Sequence, residues 1–220
     1  MSSTQFLPGL GLLNTNVEAY GSNGFRSGNV SAGLEGYAKW GWHWDFTGGD
    51  FHFSSNLVNN PFINIYSPDI AARGFRVVMK RKTRSYQFFF GEESLLAGPR
   101  VPYRTLVPQT VMGASLQQTI AKRWEIGMRY LKLSTDPTAL QSAQASFRVP
   151  GRDYAKANTL TLQSTYTLIG GTDGKGLKIY GEANAASAST FTPSSVKQRP
   201  LSLMGGPSFD SDKLTVRANI

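Results

Sequence analysis

The 220-residue sequence predicts an all-β protein of antiparallel, up-and-down strands, and three observations predict it. Long stretches alternate apolar and polar residues with period two, which gives a strand two different faces. Aromatic residues make up 12% of the chain and there are 23 glycines, a composition suited to strands and turns rather than helices. The connections between the alternating stretches are by turns short and long.

Taken in order, residues 10–20 form a weak first strand. From 29 to 46 the alternation is the clearest in the chain. Val30, Ala32, Leu34, Gly36, Ala38, Trp40, Trp42, Trp44 and Phe46 share one side, and Ser31, Gly33, Glu35, Tyr37, Lys39, Gly41, His43 and Asp45 the other, so a single strand is expected there. A second weak strand follows at 51–58. Residues 73–82 set Phe75, Val77 and Met79 against Arg76, Val78 and Lys80, and 86–90 repeats the pattern. Residues 109–120 and 124–133 read as one hairpin turning near 121–123. Residues 157–168 place Leu160, Leu162, Tyr166 and Leu168 opposite Thr159, Thr161, Gln163 and Thr165. Residues 177–186 set Leu177, Ile179, Gly181 and Ala183 against Lys178, Tyr180, Glu182 and Asn184, and the glycine-rich stretch before them is a turn. A weak last strand at 213–220 stops in mid-pattern.

The links at 47–50, 83–85, 121–123 and 169–176 are short. Those at 59–72, 93–108, 134–156 and 187–212 are long and rich in Pro, Ser or Asn. A Greek-key sandwich has no reason to keep that parity. Most of the strands are also near the nine to eleven or so residues that cross a bilayer at a tilt, against about five or six for a soluble strand. Trp40, Trp42, Trp44 and Phe46 gather amphipathic rings at one strand end, where a membrane girdle would want them.

These features together resemble bacterial outer-membrane β-barrels as a class, over most of the chain and without a family-specific motif. The resemblance implies one barrel domain over residues 1–220, complete or part of a larger barrel, in the outer membrane of a Gram-negative bacterium. It implies a porin-like passive pore or the channel of a transport or export system. The partners would be membrane lipid and lipopolysaccharide, with small solutes or an exported polymer inside. The faces opposite the lipid would then line the lumen with Glu18, Glu35, Lys39, Arg76, Lys80, Arg129, Lys178 and Glu182, a mildly basic set that predicts weak anion preference. The alternative is a soluble or surface-exposed β-sandwich that binds carbohydrate, nucleic acid or protein, with the tryptophans in its core.

Charge and motifs bound the remaining classes. The net charge of +9 points to anionic partners without choosing one, and the absence of cysteine removes disulfides and thiolate metal sites. Residues 1–13 lack the pattern of a secretory signal. No enzyme motif is present, and no cofactor is expected. His43 and His52, with Asp45 and Asp50, flank a turn but make a weak metal set. Ser54 beside His52 fits no hydrolase spacing. Glu92 and Glu93 point to opposite faces, and Gly170, Gly171, Gly174 and Gly176 form no phosphate loop. Lys80, Arg81, Lys82 and Arg84 beside Tyr86, Phe88 and Phe90 suggest a solvated turn or one meeting anionic headgroups rather than nucleic acid. The 95–108 loop, with Gly98, Pro99, Arg100, Pro102 and Arg104, is long enough to fold inward as a constriction.

Overall fold

The computed structural model describes residues 1–22, 25–54, 56–60, 70–93, 109–135, 154–170, 176–190, 197–211 and 215–218. They contain thirteen strands and no helix: β1 (Ser2–Leu7), β2 (Gly11–Ser22), β3 (Phe25–Lys39), β4 (Trp42–Phe53), β5 (Ile70–Arg81), β6 (Arg84–Glu93), β7 (Gln109–Ile120), β8 (Trp124–Thr135), β9 (Tyr154–Ile169), β10 (Gly176–Thr190), β11 (Lys197–Gln198), β12 (Leu201–Asp210) and β13 (Thr215–Arg217). The strands pair antiparallel in one sheet in the order β1 to β10, then β12 and β13, with the short β11 appended to β10. It is a single sheet, not the two of a sandwich. Nor is it a closed barrel, because no pairing among the described residues joins β1 to β13.

Three expectations are corrected. The 29–46 stretch is a hairpin, with Trp40 and Gly41 at its turn in the left-handed region, φ 56° and 76°. A two-residue turn of this hand matches the twist of the flanking strands. The alternation reads unbroken because two shifts of parity cancel. A bulge between Leu34 and Tyr37 moves the chain by one residue, and the turn moves it back. Residues 47–50 are therefore the middle of β4 and not a link. The expected link at 187–212 contains the end of β10 and all of β12, whose Gly205, Gly206 and Pro207 weaken its strand pattern. β1 was not expected.

The connections at 8–10, 40–41, 82–83, 121–123, 170–175 and 211–214 share one end of the sheet. Those at 54–69, 94–108, 136–153 and 191–200 share the other, with 23–24 as a short exception. The ends thus keep the predicted contrast, on a corrected set of strands.

The sheet curls. Ser54 directly follows β4, yet its carbonyl oxygen accepts a hydrogen bond from Arg129 Nη1 on β8 at 3.0 Å. Four strand spacings on a flat sheet would separate them by about 19 Å, beyond the reach of one side chain. Glycines on the inner side of the bend allow it. Gly74 and Gly91 pair across β5 and β6, and a Cβ on Gly74 would overlap the Phe90 carbonyl oxygen and Gly91 Cα. Asp50 fixes the place where β3 leaves β4. Its carboxylate accepts the Val30 N–H at 2.8 Å and a forked pair from Arg73, Nε at 2.9 Å and Nη2 at 2.8 Å.

Gly74→Ala is expected to destabilise the fold by about 1–3 kcal/mol, because rigid backbone must shift to admit the methyl group. Gly181→Ala, where an added Cβ meets nothing within 4 Å, should change stability by no more than about 0.5 kcal/mol. Urea denaturation of the two variants side by side reads the difference.

Candidate functional site

The inner face has an apolar half and a polar half. On β4 to β8, Phe51, Phe53, Ala72, Phe89, Val111 and Leu131 form a buried cluster with Leu133 against it. Phe53 stacks on Phe89 with centroids 4.0 Å apart, a pairing that adds about 0.5–1.5 kcal/mol to the burial of the rings. The charged and polar inner set expected from the alternation does not include this cluster.

On β9 and β10 the inner residues are polar and buried: Thr161, Gln163, Thr165, Lys178, Glu182 and Asn184, with Tyr180 among them. Glu182 is the hub. Gln163 Nε2 donates to its Oε2 at 2.9 Å, the Tyr180 hydroxyl donates to the same oxygen, and Asn184 Nδ2 donates to Oε1. Thr161 Oγ1 in turn donates to Asn184 Oδ1 at 2.7 Å. In a low-dielectric interior such a satisfied network is rigid, and an incomplete one is costly.

The chain leaving β4 is bound onto this wall. Leu57 N–H donates to Gln163 Oε1 at 2.7 Å, Asn59 N–H to Glu125 Oε2 at 2.9 Å, and Thr165 Oγ1 to the Asn59 carbonyl at 2.9 Å. Leu57 and Val58 are buried, and Val58 packs with Tyr180 and Met204. Gly127 on β8 leaves the room, since a Cβ there would overlap Leu57 Cβ. Ser54 and residues 56–60 therefore lie across the inner face, between β4 and the β8–β12 side. The arrangement holds a main chain in place by side-chain donors and acceptors, which is a structural chemistry rather than a nucleophile beside a base.

Of the expected lumen set, Glu18, Arg76, Lys80, Arg129, Lys178 and Glu182 share the inner face by register, and Glu35 joins them just before the bulge. Lys39 does not. The bulge turns it to the other face, opposite Trp42, with its Nζ 4.6 Å over the Trp40 ring. Among the described residues the inner face is also not basic. Glu18, Glu35, Asp45, Glu125, Glu182 and Asp210 balance Arg76, Lys80, Arg129, Lys178 and Arg217, and Lys80 pairs with Asp45 at 2.8 Å. Much of the excess positive charge sits instead on the turns at 81–84 and 121–123.

Trp42, Trp44 and Phe46 lie together on the outer face, Trp44 stacked on Phe46 at 6.1 Å and Trp42 beside Tyr86 at 5.7 Å. Trp40 stands apart in the turn and is exposed. His43 and His52 occupy opposite faces of β4, so they do not converge. The 95–108 loop lies outside the described residues. Gln163, Tyr180, Asn184 and Glu125 were not singled out as site residues. The signal for the first three was present, a polar residue at every second position of two facing strands. Comparison with protein-family models, curated proteins and solved structures returns no match.

Gln163→Leu leaves the Leu57 N–H without its acceptor and is expected to cost about 1–3 kcal/mol. The variant should be cut by protease within 54–60 faster than the parent. Gly127→Val, which displaces Leu57 sterically and leaves the hydrogen-bond network its members, should give the same cleavage pattern.

Proposed function

We propose that this chain is the wall of an outer-membrane β-barrel and that its inner face lines a narrow passage, for small solutes or an exported polymer, restricted by the 54–60 segment. The observation that carries this reading is the inversion of the two faces. Leu162 is 45% exposed and Leu203 71%, while Thr161 and Gln163 are each 1% exposed. The bare face continues with Phe75, Phe88, Phe90, Met112, Met128 and Ile179. A protein in water puts such residues inside and keeps large apolar patches small.

In hydrocarbon the same face is favourable, with each large side chain worth about 1.5–3 kcal/mol when removed from water. The length of the strands supports the reading as well: β2 to β10 run from 10 to 16 residues, enough to cross at a tilt. Tyr37, Trp42, Trp44, Tyr86, Trp124 and Tyr166 lie on the outer face towards the short-turn end, where interfacial rings belong. Closure of the β1 and β13 edges is part of the proposal, because unpaired backbone groups are not tolerated against lipid. The balanced inner charge gives no ground for an anion preference.

Leu162→Arg is the direct test. Against lipid it should destabilise the vesicle-folded protein by about 2–4 kcal/mol, measured by urea titration. On a water-facing surface the change would stay within about 0.5 kcal/mol, and that result would remove the membrane from the account. In planar bilayers the parent protein should give small discrete current steps, and Gln163→Leu larger ones. Equal steps from both would leave the segment without a restricting role.

A further inference from the structure

We propose that the three adjacent turns at 40–41, 82–83 and 121–123 form a docking surface for the phosphate headgroups of an anionic lipid leaflet, a partner that rests on the membrane reading above. Lys39, Arg81, Lys82, Arg84, Lys122 and Arg123 are all exposed on these turns. The turns are held side by side. Thr119 N–H donates to the Thr83 carbonyl at 2.9 Å, and the Arg81 guanidinium stands 5.6 Å over the Trp42 ring. The carboxylates nearest in sequence face inward, Asp45 to Lys80 and Glu125 to the Asn59 N–H.

A second observation comes from the backbone. Among the described residues, the non-glycine residues with positive φ are Trp40, Lys82, Ala121 and Lys122, at 56°, 47°, 50° and 61°, and all four lie on these turns. Glycine or asparagine suits that conformation better than lysine. Two lysines thus occupy positions that disfavour them, and backbone strain of this kind concentrates where a surface has a task.

The neighbouring groups select lipid among anionic partners. On the outer face Trp42 stands beside Arg81, Trp44 and Tyr86 come next in register with Met79 and Leu116, and Phe46, Val77 and Phe88 follow below them. Cation, indole and hydrocarbon follow one another in the order that phosphate, interface and acyl chain do in a leaflet. A polynucleotide would match the cations and leave the apolar band uncovered.

The test compares the full chain with a five-site variant, Arg81→Gln, Lys82→Asn, Arg84→Gln, Lys122→Asn and Arg123→Gln, and with the Lys82→Asn, Lys122→Asn pair alone. Each is diluted from urea into vesicles of phosphatidylcholine, or of phosphatidylcholine with about one third phosphatidylglycerol, and insertion is read by protease protection. Each basic residue near an anionic surface is worth about fivefold in affinity. The parent should therefore favour the anionic vesicles more than about tenfold at low salt, and lose the preference near 1 M salt, where screening reaches ~3 Å. The pair should fold in phosphatidylcholine at least as stably as the parent, because asparagine accepts the left-handed backbone, and should show a reduced preference. The five-site variant should show none. A five-site variant that keeps the preference overturns the proposal. So does a single-stranded oligonucleotide that binds as tightly as the anionic vesicles and responds to the same substitutions. Insertion of the parent into both vesicles without preference defeats this proposal alone, whereas failure to insert into any vesicle defeats the membrane reading beneath it.

Discussion

Register is the constraint on which the rest of this structure depends. On β9 the residues Leu160, Leu162, Tyr166 and Leu168 are bare while Thr161, Gln163 and Thr165 between them are buried, and β10 repeats the arrangement. A slip of one residue in either strand would exchange the faces, breaking the Glu182 network and placing leucines against it. Because every strand of the main ladder pairs with its neighbours on both sides or at an edge, a slip anywhere would have to be absorbed by the strands beside it. The bulge between Leu34 and Tyr37 is absorbed locally, by the turn at Trp40 and Gly41.

The interior follows from that register. Glycines at positions 74 and 91 let the sheet bend, and the bend brings β4 opposite β8 and β9. Only then can Leu57 reach Gln163 and Asn59 reach Glu125. The two halves of the interior do different work: the phenylalanines of β4 and β6 fill space, and the polar residues of β9 and β10 hold the crossing segment through directed hydrogen bonds. A purely apolar wall would leave the main-chain groups of that segment unsatisfied, each at about 1–3 kcal/mol.

Much of the middle of the sheet was legible from residue order alone. From Arg73 to Ala186 the strand positions and faces follow the alternation, because a strand with two unlike environments must alternate. Three features were not legible, for different reasons. The 40–41 hairpin is hidden by two cancelling shifts of parity. The inner aromatic cluster is hidden because Val77 and Val78, or Phe88, Phe89 and Phe90, are apolar in succession, so alternation does not say which side is covered. The 54–60 segment is placed by partners 66 and 106 positions away, Glu125 and Gln163, and no local pattern records such a contact. The charge balance of the inner face was not legible either, because the bulge turns Lys39 away from it and Asp210 lies on β12, a strand the alternation does not reveal.

The outer face is the part of the structure that water does not explain, and the described ladder leaves one edge of β1 and one of β13 unpaired. Both observations turn on the solvent around the sheet. The most direct measurement is the circular dichroism of the protein diluted from denaturant into plain buffer, into detergent micelles and into lipid vesicles. The account predicts a β-rich, protease-resistant state only with micelles or vesicles, and aggregation without them. A monodisperse β-rich protein in plain buffer would contradict it.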